Sequence, residues 1–259
     1  MVITYWGDDL AAPTNEPQHC RIGFANIHGL GLTSRSHKNQ EFYSFISNFQ
    51  FDIFGMAETN GNWSAVPVHD RPHERSRSWW QLRHVSYSHL IHDKALRQER
   101  FQYGGTAVWT RDSMVRRVAT CGKDNLGRWS WTRYRGLNNR WLRVVAAYRP
   151  CDSLEANSTF QQQLRHLPGI QDNPRKAFLQ DLHTTLSHWL SGGDSLIVML
   201  DANDNVLQGE VADMFHSLHL VNLHFRDPLD IQDHPPLPTC RRQSPIDAIY
   251  GSPEIRPIC

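Results

Sequence analysis

The sequence predicts an α/β protein, built as a sandwich of two sheets with helices on the outside. Three observations favour this class: short apolar runs alternate with helical stretches, the runs come in pairs, and several of them end at polar residues. The chain has 259 residues, of which 39% are hydrophobic, so it can supply a packed core. Residues 1 to 20 are mostly polar and predict a flexible arm, whereas residues 21 to 259 contain no linker that would divide them into two domains.

The beginning of the domain is predicted to be strand, helix, strand. Residues 21 to 27 are largely apolar, and four apolar side chains recur at helical spacing within residues 38 to 49. Residues 51 to 57 predict a second buried strand, which ends at Glu58. Residues 61 to 82 are rich in Trp, Pro, His and Arg without a period, so a long loop is predicted there.

The rest of the chain supplies the other strands and two more helices. Alternating or apolar runs predict strands at residues 84 to 89, 104 to 110, 128 to 134, 141 to 148, 195 to 200 and 246 to 250. Helices are predicted at residues 174 to 190, which a Gly pair ends, and at residues 210 to 218. Three Pro residues between 235 and 238 mark a loop. The total is about eight or nine strands and three helices.

The overall charge of the chain does not indicate a nucleic-acid binder, because the net charge is only +1 with neutral His. Arginines are nevertheless crowded into the middle third of the chain, at Arg97, Arg100, Arg116, Arg117, Arg128, Arg133, Arg135, Arg140 and Arg143. They are interpreted either as a local basic surface or as solvated positions of strands and loops. The sequence alone leaves both interpretations open.

Cysteine usage and hydropathy indicate the compartment. The five Cys are odd in number and form no CxxC pattern, which is typical of a reducing compartment and not of a disulfide framework or a zinc module. No run approaches the ~18 apolar residues of a membrane span, and the beginning of the chain has no apolar signal-peptide region. We therefore expect a soluble, intracellular protein that makes no contact with a membrane.

Polar side chains gather where several of the predicted strands end. They are Asn26, Glu58, Tyr148, Asp201 with Asn203, and Asp247. Carboxylate and amide oxygens suit a hard cation such as Mg²⁺, and acids beside such an ion can hold or deprotonate an attacking water. Most of these residues also have a structural interpretation, as turn residues, a loop cap or a strand tyrosine. Asp247 lies inside an apolar strand, where a buried acid needs a partner.

Five motifs in chain order resemble those of the endonuclease/exonuclease/phosphatase superfamily, which includes deoxyribonuclease I, apurinic/apyrimidinic endonucleases and inositol polyphosphate 5-phosphatases. They are "FANIHGL" at 24 to 30, "FGMAETN" at 54 to 60, "VAAYRP" at 145 to 150, "VMLDANDN" at 198 to 205 and "SPIDAIYGSPEI" at 244 to 255. The stretches "YGGTAVWT" at 103 to 110 and "GRWSWTRYRG" at 127 to 136 are similar to the apurinic/apyrimidinic-like endonuclease domains of non-LTR retrotransposon-type elements. The resemblance implies a four-layer α-β-β-α sandwich of two mostly antiparallel sheets.

The resemblance also implies the roles of the matching residues. Glu58 would be the main ligand of Mg²⁺, with Mn²⁺ as a substitute, and Asn26 would lie beside it. Tyr148 would contact the scissile phosphate, Asp201 would orient or deprotonate the attacking water, and Asn203 would hold a phosphate oxygen.

Further residues of the same motifs are implied to position groups around this centre. Asp247 would orient a catalytic His. Three other residues would bind substrate: Asn60, Arg149 and Ser244. The motif at Asp201 departs from the family in its neighbours, since Leu200 and Ala202 stand where the family more often has Gly and Phe, but the Asp-x-Asn spacing is kept.

The family pattern closes with a Ser-Asp-His triplet after one more strand, and no such triplet occurs in this sequence. We therefore expect a domain that is truncated at its C-terminal side and lacks its last strand, so that Asp247 has no His partner. Asp233-His234 is the nearest echo, but it precedes Asp247 in the chain. Three other His residues nearby in sequence are interpreted as surface or core residues, namely His216, His219 and His224.

Two classes of function follow. The first is a Mg²⁺-dependent phosphodiesterase, a DNA endonuclease of retrotransposon type that is expected to be inactive if the missing His is required. A phosphatase acting on small phosphate esters would use the same chemistry. The second is a remnant that binds nucleic acid or a protein partner without cleavage. The Trp- and Arg-rich region favours a polymeric substrate, through base stacking and phosphate contacts, unless it forms the core; it comprises Trp79, Trp80, Trp129, Trp131, Arg133 and Arg135. The retrotransposon resemblance also implies nuclear residence and a reverse transcriptase domain in a longer parent polyprotein.

Overall fold

The computed structural model describes residues 20–33, 35–91, 99–167, 173–224 and 244–255. Several sequence-based expectations lie outside these ranges. They are the arm at residues 1 to 20 apart from Cys20, Arg97, the loop of Pro235, Pro236 and Pro238, the Asp233-His234 pair, and two of the five Cys, Cys240 and Cys259.

The first sheet is made by the first part of the chain. Its strands are β1 (Ile22–Asn26), β2 (Ile53–Ala57), β3 (Arg83–Tyr87) and β4 (Thr106–Arg111), and their spatial order is β1-β2-β4-β3. β1 and β2 are parallel, and the other neighbours are antiparallel. The carboxyl ends of β1 and β2 therefore lie at the same edge of the sheet.

The second sheet is made by the later part of the chain. Its spatial order is β5-β6-β7-β8-β10-β9, with β5 at Val118–Lys123, β6 at Trp129–Arg135, β7 at Trp141–Tyr148, β8 at Asp194–Asp201, β9 at Val221–Asn222 and β10 at Asp247–Gly251. Only β7 and β8 are parallel; the other pairs are antiparallel. The predicted class of two mostly antiparallel, mixed sheets is thus confirmed.

The helices cover the outer faces of the two sheets. They are α1 (His37–Asn48), α2 (Pro72–Arg75), α3 (Thr159–Leu164), α4 (Pro174–Ser191) and α5 (Glu210–Ser217). α1 buries Phe42 and Ile46 in one apolar cluster with β2 and β4, whereas α4 and α5 bury theirs in another with β7, β8 and β10. No helix in the described ranges is long and apolar enough to cross a membrane.

Four segments differ from the sequence-based expectation. The predicted loop at 61 to 82 contains α2 between two short 3₁₀ turns, and β5, α3 and β9 were not predicted. β5 is an edge strand whose residues are mostly exposed or half-buried, so it lacks an apolar alternation. α3 is only six residues long and begins because the hydroxyl of Ser158 accepts a bond from the backbone N–H of Gln161.

Small and hydroxylated side chains set the distance between the two sheets. A Cβ at Gly55 in β2 would overlap the side chain of Met199 in β8, so the approach of these two strands depends on this glycine. Hydroxyl groups also bond across the interface: Thr106 donates to Ser130 at 3.0 Å, and Thr132 donates to Ser86 at 3.1 Å. These buried polar groups are satisfied by each other, which fixes one relative position of the sheets.

The Trp- and Arg-rich region of β6 and β7 is largely structural. Trp129 is buried against α4, and the guanidinium of Arg143 lies over the rings of Trp131 and Trp189. Arg133 and Arg143 both donate to the buried carboxylate of Asp194 at the start of β8. Trp129 and Trp131 therefore pack with the core, which favours the structural interpretation over a stacking surface, but Arg133 and Arg143 are paired with an acid where solvated positions were expected.

One buried histidine makes stability depend on pH. His89 is 4% exposed and its Nε2 lies 2.8 Å from the Ser64 hydroxyl. Burial, with smaller contributions from Lys123 and Arg71, lowers the pKa of His89 from 6.5 to about 4. Between these two values of pH, His89 therefore binds a proton in the unfolded chain but not in the folded chain. Its contribution to the free energy of unfolding is complete above pH 6.5 and is lost as the pH falls toward about 4.

We expect the free energy of unfolding to fall by about 2 kcal/mol from this group between pH 7.5 and pH 5. Urea denaturation at both values of pH measures it, with His89→Gln as the comparison, since Gln cannot take up the proton. An equal loss in the parent and the variant would show that other groups cause the dependence.

Candidate active site

Three neighbouring strands of the second sheet bring polar side chains to one edge. β7 ends at Tyr148 and β8 ends at Asp201, and these two residues are register partners. On the other side of β8, Asp247 begins β10 directly opposite Asp201. Asp201 is 1% exposed, so it is a buried carboxylate between a tyrosine and a second acid.

The first sheet contributes Asn26 and Glu58 at the same end of the sandwich. Asn26 is the last residue of β1, and Glu58 directly follows β2. The amide of Asn26 donates to the Asp201 carboxylate at 2.7 Å, which connects the two sheets across the site. Backbone bonds from Gly29 to Glu58 and from Leu30 to Thr59 hold the two loops together.

The backbone around the site is held in an uncommon conformation. His28, Glu58, Asn60 and Asn203 all have positive φ angles, of 46°, 52°, 50° and 46°. This left-handed region is tolerated by Asn and His but is uncommon for a residue such as Glu. Such conformations cluster at functional sites and cost about 1–3 kcal/mol each. At Glu58 the turn directs a carboxylate into a cleft, where its Oε2 lies 3.1 Å from Nδ1 of His28.

The carboxylates affect one another strongly. Burial raises the pKa of Asp201 well above its ordinary value, and the charges of Asp247 and Glu58 raise it further. Hydrogen bonds from Asn26 and from the backbone N–H of Asn203 act in the opposite direction. Burial also raises the pKa of Tyr148, as do the nearby carboxylates of Glu58 and Asp201. The Tyr148 hydroxyl therefore keeps its proton and serves as a hydrogen-bond donor.

Two arginines support the turn that carries Asp201 and Asn203. Arg149 is 2% exposed, and its guanidinium donates to Asp204 at 2.5 Å and to Glu210 at 3.4 Å. Arg175, in the first turn of α4, donates to the carbonyl of Asn203 at 3.1 Å and to Asp204 at 3.0 Å. The amide of Asn203 in turn donates to the carbonyl of Arg149 at 2.8 Å. In the structure Arg149 therefore holds this turn, and contact of Arg149 with substrate stays a prediction.

A cleft of about 210 Å³ opens beside Glu58. It is lined by His28, Glu58, Asn60, Tyr103, Gly104, Tyr148, Cys151, Ser153, Glu155, Ser158 and Thr159. Three of the residues predicted for the site are thus exposed to it, namely Glu58, Asn60 and Tyr148. Asp201 is covered and reaches the site through its bond to Asn26.

Asn60 and Ser244 differ in how they relate to this cleft. Asn60 lines it, and its side-chain carbonyl accepts a bond from the backbone N–H of Gly104 at 2.8 Å. Ser244 is half-buried, lies three residues before Asp247, the first residue of β10, and does not belong to the cleft lining. Substrate binding by either residue stays a prediction.

Sequence reasoning missed several residues that form the cleft. His28 was quoted within its motif but given no role, although its ring faces Glu58. Tyr103 and the residues of 151 to 159 were also missed, because nothing in their local pattern shows which side chains remain exposed. His216 and His219 lie exposed near the end of α5, and neither lines the cleft.

The donor atoms fit a hard divalent cation that completes its shell with water and phosphate. No group of three His, Cys, Asp or Glu side chains within the described ranges is arranged to hold a metal alone. Mg²⁺ commonly uses only one or two carboxylates of the protein. The mutual repulsion of Glu58, Asp201 and Asp247, which helps to raise the pKa of Asp201, is the effect that a nearby cation would relieve.

A family model described as "Endonuclease/Exonuclease/phosphatase family" matches residues 23–259, which is most of the chain. The chain belongs to the endonuclease/exonuclease/phosphatase family. A search of curated protein sequences finds no match.

Solved structures show the same fold at low sequence identity. The human Nocturnin catalytic domain with bound sulfate matches with a TM-score of 0.59 and 17% identity, over 90% of this chain and 82% of that one. A mannosyl-6-phosphatase from Bacteroides thetaiotaomicron matches with a TM-score of 0.55 and 11% identity, over 92% of this chain and 87% of that one. A 3'-5' exonuclease from Neisseria meningitidis matches with a TM-score of 0.54 and 13% identity, over 90% of this chain and 86% of that one. Since a phosphatase and an exonuclease share the fold, the fold alone does not select a substrate.

Proposed function

We propose that the protein is a Mg²⁺-dependent phosphodiesterase that nicks DNA, of the type found in retrotransposon-like elements. The observation that carries the proposal is the bond from Asn26 to Asp201, because it joins the residues suited to a cation with a buried acid suited to act as a base. Family membership supports the hydrolysis of phosphate esters. Residence in the nucleus and a reverse transcriptase domain in a longer polyprotein are the further parts of this proposal.

The residues divide the work by their surroundings. Glu58 and Asn26 would hold Mg²⁺, which when bound offsets the charge of the phosphate and of the transition state. Asp201 is held by the amide of Asn26 and the backbone of Asn203, so its carboxylate is fixed beside the residues that would hold the metal, and with metal and substrate bound it would orient or deprotonate the attacking water. The Tyr148 hydroxyl, which keeps its proton, donates a hydrogen bond toward the cleft.

The proposal is tested by nicking of supercoiled plasmid during a titration of Mg²⁺. We expect nicking to require the metal, and we expect Glu58→Gln to raise the half-saturating Mg²⁺ concentration at least about ten-fold, because a neutral amide is a weaker ligand than a carboxylate. His69→Gln, an exposed change remote from the cleft lining, is the control. Nicking that survives chelation, or that Glu58→Gln leaves unchanged, would contradict the assigned metal ligand.

The same titration separates the two alternative functions. Binding of DNA without nicking at any Mg²⁺ concentration would favour a non-catalytic remnant. Hydrolysis of p-nitrophenyl phosphate with no action on plasmid would favour a phosphatase for small esters. Nicking that depends on Glu58 excludes the first of these.

A further inference from the structure

The cleft beside Glu58 has little positive charge in its walls. Among the described residues that line it there is no Lys or Arg, and His28 is the one side chain that can become a cation. Two carboxylates face the cleft, from Glu58 at one end and from Glu155 in the segment before α3. A phosphate is stabilised at the Glu58 end if a metal is present, but elsewhere in the cleft it meets only uncharged or acidic groups. The remainder of the cleft therefore suits an uncharged group.

An exposed aromatic pair stands at the mouth of the cleft. Tyr103 lines it and is 43% exposed, and Phe101 beside it is 46% exposed, with the ring centroids 4.8 Å apart in an edge-to-face arrangement. Leu154, on the opposite segment between two lining residues, is 95% exposed. These are three of the six large hydrophobic side chains that are exposed in the described ranges, so exposed apolar surface is concentrated around this opening.

The segment that carries the aromatic pair is fixed to the segment that carries Glu58. The backbone N–H of Asn60 donates to the carbonyl of Gly104 at 2.8 Å, and Gly104 returns a bond to the Asn60 side chain at 2.8 Å. Phe101 forms an antiparallel bridge with Gly61. Gly104 has a φ of +90°, and a Cβ there would lie 2.9 Å from Thr159. The backbone that carries Tyr103 is therefore held at a set position relative to Glu58, so little backbone entropy is lost when the segment binds a ligand.

We infer that Tyr103, supported edge-on by Phe101, stacks on one unpaired base of a nucleic acid whose adjacent phosphate lies at Glu58. This inference rests on the proposed function and adds the substrate group that the cleft accepts. A cleft of about 210 Å³ has room for a single ring system but not for a base pair, so a base that enters it is unpaired. The substrate is therefore single-stranded, or locally opened, at the cleavage position.

The polar part of the cleft is suited to any base. Three of its hydroxyl groups are on Ser153, Ser158 and Thr159; the first two accept a backbone bond each and keep a proton to donate, and Thr159 can donate or accept. Such groups satisfy the edge of a base without selecting one, and stacking is equally tolerant because every base has a π face. We therefore expect a preference for unpaired structure and little preference for sequence.

The test compares the binding of two labelled single-stranded oligonucleotides of equal length by fluorescence anisotropy, with Ca²⁺ in place of Mg²⁺ to prevent cleavage. One oligonucleotide has normal bases and the other has abasic sites throughout. We expect Tyr103→Ala to weaken binding of the first roughly ten-fold and to leave the second unchanged, because one stacked base is lost. Tyr103→Phe retains the ring and should bind as the parent does. Leu137→Ala, at an exposed turn before β7, is the control.

Each outcome decides. A loss confined to the normal oligonucleotide supports stacking on a base, and an equal loss on both, or none, overturns it. If neither oligonucleotide binds the parent while Tyr103→Ala raises KM for p-nitrophenyl phosphate, the cleft accepts a small ester and the inference fails. If the parent nicks plasmid and Tyr103→Ala nicks it equally well, the inference is refuted and the proposed function stands. If the parent binds the normal oligonucleotide through Tyr103 but does not nick, the inference stands and the proposed function is refuted.

Discussion

Replacing Asp201 with Asn is expected to reduce nicking by roughly 10²–10⁴-fold, because a buried general base is removed while the fold is kept. The side chain is 1% exposed, and its register partners on the two neighbouring strands are Tyr148 and Asp247. Asn has the same shape but cannot accept that proton. Initial rates of plasmid nicking at saturating Mg²⁺ measure the effect.

The same change should not lower the melting temperature. Burial and the charges of Asp247 and Glu58 raise the pKa of Asp201, which means that its ionised form is disfavoured in the folded protein. Asn removes this repulsion, which raises stability. Asn also has one side-chain oxygen where Asp has two, so either Asn26 or the backbone N–H of Asn203 loses its acceptor, and the two effects offset each other. A lower melting temperature together with lower activity would show that the fold had been damaged.

Asp204→Asn is the matched control, because it changes the same chemical group three residues further along the turn. Its carboxylate is partly exposed and pairs with Arg149 and Arg175. Although partial burial acts against ionisation, the hydrogen bond from Arg149 and the nearby positive charges dominate and lower its pKa. Neutralising Asp204 should therefore reduce stability slightly while nicking stays within about ten-fold of the parent. Asp201→Asn should thus lower nicking strongly with little change in stability, whereas Asp204→Asn should lower stability slightly with little change in nicking.

Asp194→Ala is expected to cost about 3–5 kcal/mol of unfolding free energy, since it leaves two arginines uncompensated in a dry part of the sandwich. Asp194 is 5% exposed and accepts bonds from Arg133 and Arg143, the second of which is itself buried against Trp131. Urea denaturation at pH 7.5 measures the loss.

The control for this change is Asp112→Asn, which removes the charge from a pair with Arg111 in which the Asp side chain is 54% exposed, and which tolerates the positive φ of 53° at this position. A partly exposed pair is worth about 0–1 kcal/mol. If Asp194→Ala cost no more than this control, Arg133 and Arg143 would be free to bind phosphates, and the interpretation of this region as a nucleic-acid surface would regain support.

Much of the fold could be predicted because its central strands carry a strong apolar signal. β2, β7 and β8 are buried along almost their whole length, and the predicted bounds agree with the structure within two residues. The edge strand β5 and the short helix α3 gave no such signal, since their order comes from neighbours and from a cap. The local apolar pattern therefore predicts the strands that are buried in the core, and it misses elements that depend on neighbouring strands or on a helix cap.

The candidate site could be predicted only as a set of strand ends. Chain order placed Asn26 and Asp201 in motifs but did not show that a single hydrogen bond joins them, because register between sheets is not encoded locally. Substrate binding by Arg149 was implied by the motif, and its bond to Asp204 could not be predicted because the two residues are distant in the chain. Tyr103 had no assigned role, because exposure of a ring is a property of the folded surface.

The division of the two sheets along the chain has a consequence for how the site comes into being. The first sheet uses residues up to Arg111 and the second begins at Val118, so each is built from one continuous half of the polypeptide. Asn26 and Glu58 belong to one half, and Tyr148 and Asp201 to the other. Neither half holds all of the candidate site residues, so the site exists only when the two sheets dock across the Gly55–Met199 contact. If the proposed function holds, loosening this contact would abolish nicking while both sheets were still intact.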